Sequence, residues 1–294
     1  MTILRWKLTI DPWKAAYVPC AATEAIIECC LRAVERHPRH KDSQGILIVG
    51  KPGAGKSALL RALTRRANKE FGQDKRTLAA VMMSMPVPCT NRAISLEMRR
   101  ALGDPAKAGS ATDNFEIFKT LSSSLETRLL IVDETHNMGE DRRDLAESRR
   151  HFLKRMMNEF RGICIFAGIP SIVPLMRSDD ELRRRMRRTL DVSSYDLSVA
   201  EQRTEYRTYL KKLDVASSMP ELGDFASTDR ALRIAAATGG LRGKTFDLLD
   251  YARDLAIDDN CPRITDEHLR RAFFEFMAHD DPRVKNPFDI HSPI

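Results

Sequence analysis

The chain predicts an α/β protein in which a parallel five-stranded sheet is followed by a small all-helical part, and three observations carry this. The apolar run Gly45-Ile46-Leu47-Ile48-Val49 leads through a glycine-rich loop into the helix-forming stretch Ala58-Leu59-Leu60-Arg61-Ala62-Leu63. Short apolar segments then alternate with helical periodicity, as strands buried on both faces alternate with covering helices. Beyond Leu197 only helical periodicity remains, a change of pattern that marks a second domain.

The elements follow in order. An amphipathic helix is expected from Thr23 to Arg36, stopped by Pro38 and the charges around it. The glycine loop opens a helix at Lys56, and Thr77 to Met83 reads as a second strand ended by Pro86 and Pro88. Helices from Asn91 to Leu102 and from Asp113 to Glu126 flank the glycine-containing loop Gly103 to Ser110. Leu129 to Val132 forms a third strand, Leu145 to Phe160 a long helix, Ile163 to Gly168 a fourth strand and Thr189 to Ser193 a fifth. Helices over Val199 to Leu213, Thr228 to Thr238, Lys244 to Ile257 and Thr265 to Met277 complete the chain. The expected domains are an N-terminal extension and helix over residues 1–44, a core over 45–196, a helical lid over 197–278 and a tail over 279–294.

With 294 residues the chain is long enough to bury a sizeable core. Its 48 lysines and arginines against 41 aspartates and glutamates leave a net charge of +7, compatible with a polyanionic partner. Cys20, Cys29, Cys30, Cys89, Cys164 and Cys261 form no Cys-x-x-Cys pair, so they read as reduced thiols rather than a zinc or disulfide framework. No apolar run approaches the roughly 18 residues needed to span a bilayer, and a signal-peptide core is absent. A cytoplasmic protein away from membranes is expected.

Gly50-Lys51-Pro52-Gly53-Ala54-Gly55-Lys56-Ser57 lies between a strand and a helix, the setting that a phosphate-binding loop requires. Glycines let the backbone turn N–H groups toward phosphates, and the helix adds its positive end. Gly50, Pro52, Gly53, Ala54, Gly55, Lys56, Ser57 and Ala58 are the candidate nucleotide contacts. Lys56 reaches the β- and γ-phosphates in such a loop, and the Ser57 hydroxyl holds Mg²⁺. An ordinary glycine turn leaves the Lys and Ser after the last glycine unexplained.

Leu129-Leu130-Ile131-Val132-Asp133-Glu134 supplies the partner. A carboxylate at the carboxyl end of a buried strand sits where parallel sheets bind ligands. Asp133 is therefore a second candidate for Mg²⁺, and Glu134 a general base that polarises an attacking water. That pairing suits hydrolysis and argues against a small-molecule kinase. GTP is not expected, because Asn68-Lys69-Glu70-Phe71 lacks the aspartate that reads guanine.

The phosphate loop, the Ile131-Val132-Asp133-Glu134 strand end, the arginine-rich Glu181-Leu182-Arg183-Arg184-Arg185-Met186 segment and the helical part together resemble an AAA+ ATPase: a P-loop NTPase core with a helical lid. More narrowly, the chain resembles the TniB and TnsC group of transposition regulators over roughly residues 20 to 260. That likeness rests on Glu35-Arg36-His37-Pro38-Arg39, Val132-Asp133-Glu134-Thr135-His136-Asn137-Met138, Lys154-Arg155-Met156-Met157-Asn158-Glu159 and Phe166-Ala167-Gly168-Ile169-Pro170.

The resemblance implies a protein that oligomerises with ATP on double-stranded DNA, as a ring or helical filament, and links a TniQ-like targeting protein to a DDE-type transposase. A helicase loader or initiator-type AAA+ protein shares every nucleotide motif and stands as the alternative. The resemblance also implies an arginine finger, acting on the nucleotide of a neighbouring subunit. Arg185, before Met186, aligns best with it, while Arg183, Arg184, Arg187 and Arg188 lie close by. The polar sensor expected after the fourth strand is absent at Ile169 or moved to Ser171. A second sensor resembles Gly239-Gly240-Leu241-Arg242, with Arg242 aimed at the phosphates or, as the alternative, at solvent from a helix start. His136 is read as structural or as a link from the site to a partner. By analogy with the group, Asn91, Arg92, Arg99, Arg100 and Lys119 are the candidate contacts to DNA phosphates.

Overall fold

The computed structural model describes residues 13, 17–38, 41–72, 74, 76–105, 108–139, 143–277 and 285–289. The beginning of the expected extension, Arg39 of the family segment and most of the expected tail over 279–294 lie outside them. The described chain forms two compact units. One runs from Ala22 to Ser193, and the other joins the residues up to Ala21 to those from Ser194 onward. The helix α1 (Ala21–Arg36), placed by the sequence in an extension, thus falls from Ala22 on within the same unit as the sheet.

In the sheet unit α1 is followed by β1 (Gln44–Val49), α2 (Lys56–Phe71), β2 (Ala80–Ser84), α3 (Asn91–Ala101), α4 (Ala111–Ser124) and β3 (Leu129–Asp133). A 3₁₀ turn (Thr135–Gly139), α5 (Arg143–Glu159), β4 (Ile163–Gly168), α6 (Ile172–Arg177), α7 (Asp180–Arg185) and β5 (Met186–Asp191) complete it. The strands pair in parallel in the order β2-β3-β4-β1-β5. The apolar runs of β1, β3 and β4 are buried on both sides, as covering helices on each face demand, whereas the edge strand β5 is largely exposed. Leu47, Val49, Leu130, Val132 and Phe166 join Ile94, Met98, Phe115, Phe118, Phe152 and Met156 in one core. The alternating Ile46, Ile48, Ile131 and Ile165, buried as well, point to the opposite face.

Two strands begin elsewhere than expected. β2 starts at Ala80 instead of Thr77, because Thr77 N–H bonds the Asp74 carbonyl and Leu78 N–H bonds the Leu125 carbonyl; pairing with β3 opens only at Ala80 opposite Leu129. β5 starts at Met186 rather than Thr189, with Gly45 opposite Met186 but Ile46 opposite Arg188. Arg187 is the extra residue of a β-bulge.

The helical unit contains α8 (Ala200–Ala216), α9 (Thr228–Thr238), α10 (Arg242–Asp258) and α11 (Asp266–Ala272), the last running into a π turn (Phe273–Met277). Tyr206, Leu210, Leu213, Phe225, Ile234, Leu248, Leu249 and Leu269 form its core. Gly240, with φ 66°, passes so close to Tyr195 that a Cβ there would lie 2.4 Å from the Tyr195 carbonyl oxygen. Among the described residues no helix is long and apolar enough to cross a membrane.

Candidate nucleotide-binding site

β1, β3 and β4 deliver the site at their carboxyl ends. Gly50 N–H, just after β1, bonds the carbonyl of Gly168 at the end of β4 (3.2 Å), which fixes the start of the loop against the sheet. A side chain at Gly50 would stand 2.7 Å from the Val192 carbonyl, so only glycine fits that approach. Gly53 and Gly55 take φ values of 76° and 88°, the left-handed region that favours glycine. Gly55 is also the N-cap of α2 and brings no capping side chain. The amides of Lys56, Ser57 and Ala58 in the first turn of α2 therefore remain as a cluster of donors at a positive helix end.

Lys56 is buried, and its Nζ donates to the carbonyls of Gly50 (2.9 Å) and Lys51 (3.2 Å) across the loop. Burial lowers its pKa from the ordinary lysine range, against the upward pull of Asp133 and Glu134. The Ser57 hydroxyl donates to Asp133 Oδ2 at 2.6 Å, although the residues are 76 positions apart. Asp133 is only 2% exposed, and its Oδ1 accepts the Glu134 amide at 2.8 Å. Hydroxyl and carboxylate oxygens of this kind are the hard ligands that Mg²⁺ takes alongside phosphate oxygens. The donor set fits a Mg²⁺–nucleotide complex.

Glu134 adopts φ 53°, a strained backbone for a non-glycine residue and one that clusters at functional sites. Its Oε2 lies 3.3 Å from Nε2 of His136, on the following 3₁₀ turn. The Nδ1 atom of that ring is buried without a hydrogen-bond partner, and the residue packs against Gly168, where a Cβ would lie 3.3 Å from the His136 backbone nitrogen. His136 thus braces the carboxylate against the end of β4. Ser171, the relocated sensor of the sequence reading, is exposed and caps nothing with its side chain. Sequence reasoning missed Asn137 and Arg149. Asn137 donates to the Met85 carbonyl (3.2 Å), and the buried Arg149 donates to the Met138 carbonyl; together they hold the turn that carries His136.

The arginines sort differently from the sequence order. Arg185 is turned into its own chain, with Nη2 on Asp42 (3.2 Å) and Asn158 and Nη1 on the carbonyls of Met157 (3.4 Å) and Ser43 (3.5 Å). Arg183 and Arg184 are exposed, the first paired with Asp180. Arg242 lies in the helical unit, buried, with its guanidinium 5.3 Å from the Tyr195 ring centre and toward Cys20 Sγ (3.7 Å). That packing replaces the solvent-facing alternative.

The expected DNA contacts are largely engaged. Arg99 is 9% exposed and binds Asp104 (2.9 and 2.7 Å) and Asn114 (2.6 Å), holding the loop between α3 and α4. Arg100 pairs with Glu97 (2.5 Å), Lys119 with Glu116 (2.7 Å) and Glu159 (2.5 Å), and Arg92 donates to the Gly109 carbonyl (2.9 Å). Asn91 bonds the Ser148 hydroxyl (2.9 Å).

A sheet of order β2-β3-β4-β1-β5 with a phosphate loop after β1 and an Asp-Glu pair at the end of β3, in a chain that also forms a helical unit, defines an AAA+ fold. Solved structures agree. The Aeropyrum pernix ORC2 protein, in ADPNP–ADP complexes, is similar with a TM-score of 0.69 at 16% identity, over 94% of this chain and 75% of that one. The Aeropyrum pernix ORC1 protein in complex with DNA gives 0.66 at 19% identity, over 90% and 69%. The Thermotoga maritima RuvB Holliday junction branch migration motor gives 0.51 at 16%, over 90% and 71%. At such identities the likeness concerns the fold. No curated protein matches the chain. The family model for the bacterial TniB protein matches residues 14–192, and the chain belongs to that family.

Proposed function

We propose that this protein is an ATPase that assembles on duplex DNA and regulates transposition, connecting a TniQ-like targeting protein to a DDE-type transposase. The observation that carries the nucleotide reading is the Ser57–Asp133 hydrogen bond of 2.6 Å, with buried Lys56 and strained Glu134 on either side. Lys56 binds the β- and γ-phosphates, and the first-turn amides of α2 orient them. Ser57 and Asp133 would hold Mg²⁺, which would supply charge neutralisation to the phosphates. Glu134 accepts the proton of the attacking water, and His136 keeps its carboxylate in place. Membership of the TniB family supports transposition as the setting, and an ORC1 protein of like fold in complex with DNA supports a DNA partner.

Assembly on DNA should require ATP. Negative-stain microscopy and phosphate release, with and without duplex DNA, test this. Lys56→Ala should lose both nucleotide binding and assembly. Equal assembly of the wild type with and without ATP would sink the proposal.

A further inference from the structure

The bulge in β5 places two consecutive arginines on one pocket. In a regular strand Arg187 and Arg188 point to opposite faces; the extra residue at the Gly45–Ile46 register shift lets both line the same cavity. Arg32 and Arg36, one turn apart on α1, line it as well, beside Cys29, His37 and the starts of β1 and β4. The cavity is about 270 Å³ and lies at the amino-terminal edge of the sheet, the edge opposite the nucleotide site.

Its charge is one-sided. Four arginines line the pocket and no carboxylate does. Arg188 donates to the Cys29 thiol (2.9 Å), a weak acceptor. Among the described residues no carboxylate pairs with Arg32, Arg36, Arg187 or Arg188. In an adjoining pocket that shares Gln44 and Arg187 and adds Lys41, the one carboxylate, Asp42, is held by Arg185 at 3.2 Å. Like charges gathered without a counter-charge repel one another, and an anion between them relieves that repulsion. On the other basic surface, by contrast, Arg99, Arg100 and Lys119 are already paired with carboxylates.

We infer that the Arg32–Arg36–Arg187–Arg188 pocket binds the phosphate backbone of duplex DNA. The inference rests on the DNA partner of the proposed function and assigns its surface. Guanidinium forks match phosphate oxygens bidentately, and because contacts to the phosphate backbone carry no sequence information, binding with little base preference is expected. All four side chains are exposed, so a backbone phosphate reaches them without opening the fold.

The test is a fluorescence-anisotropy titration of a labelled duplex over a series of salt concentrations. It uses wild type, the double variant Arg36→Ala/Arg187→Ala and, on the competing surface, Arg92→Ala/Arg100→Ala. Each neutralised phosphate contributes about 0.9 to the log–log salt slope, so the pocket variant should lose about 1.8 from it, and the competing variant nothing. Circular dichroism and binding of a fluorescent ATP analogue establish that each variant is folded. If the pocket double variant unfolds, Arg36→Gln alone should lose about 0.9. A folded pocket variant with the wild-type slope overturns the inference, as does loss of slope only in the competing variant. Loss of ATP-dependent self-assembly with DNA affinity unchanged overturns it too, and points instead to a second copy of this chain as the anion's source. Wild type without salt-dependent binding removes the DNA reading itself, a failure distinct from the other three.

Discussion

Asp133 and Glu134 are neighbours in the chain with opposite environments. Asp133 is sealed, its two oxygens committed to Ser57 and to the Glu134 amide. Glu134 turns outward on a strained backbone, its side chain 43% exposed and touched by His136. Loss of Asp133 should weaken the nucleotide complex, whereas loss of the Glu134 charge should act only where a proton leaves water. Glu134→Gln is expected to bind ATP like the wild type and to hydrolyse it about 10²- to 10⁴-fold more slowly. Phosphate release beside equilibrium nucleotide binding checks this; turnover at the wild-type rate would remove Glu134 from the role of base. These residues were legible from sequence because a phosphate loop and a strand-end carboxylate are local patterns. His136 was visible as a residue but not as a brace, since its contact with Gly168 joins positions 32 apart that no spacing rule connects.

At the scale of elements, helices α3 and α4 show how an arginine on a basic helix can be structural. Arg99 ties α3 to the loop residue Asp104 and to Asn114 on α4, with the Arg99 and Asp104 side chains 11% and 18% exposed. Arg99→Ala leaves Asp104 without its charged partner and should cost about 2–3 kcal/mol of stability, read from the denaturant midpoint. It should leave the salt slope of DNA binding unchanged. A second network joins α4 to α5, where Lys119 and Arg155 converge on Glu159. Burial raises the Glu159 pKa, but hydrogen bonds from Lys119 and Arg155 outweigh it and hold the carboxyl below its ordinary 4.5. The stability from a depressed carboxyl is present above its unfolded value and lost as pH falls through the folded one. Wild type should therefore exceed Glu159→Gln at pH 7, and the gap should close on acidification below about 4.5; a pH-independent gap in urea titrations would contradict it. The helix and strand positions were readable from apolar period, but the partners of their charges were not. Period reports which face is buried and says nothing of which carboxylate an arginine meets. The β5 bulge escaped for the same reason, since it exists only in the register against β1.

At the scale of the whole molecule, the proposed assembly would need an arginine that reaches a neighbouring subunit. An arginine acting across a boundary must be free of its own chain. Arg185 is not: it joins the end of α7 to Asp42, Ser43, Met157 and Asn158, with its side chain 16% exposed. Replacing it by alanine removes several charged hydrogen bonds at once and should lower the thermal midpoint. Arg183 and Arg184 extend from the same short helix into solvent, where their contacts are with Asp180 one turn back. Exposed pairs of this kind contribute little, about 0–1 kcal/mol, so Arg183→Ala/Arg184→Ala should keep the wild-type midpoint. It should also bind ATP normally, because neither residue lies in the phosphate loop. If one of them completes the neighbour's site, turnover in the assembled state should fall about 10³-fold or more, since a guanidinium at the developing phosphate charge contributes on that scale. The comparison needs three readings on each variant: thermal midpoint, ATP binding, and phosphate release per assembled complex on DNA. Arg185→Ala with a wild-type midpoint and abolished turnover would return the role to Arg185. Undiminished turnover in both the double variant and Arg185→Ala would move the trans arginine off α7 altogether.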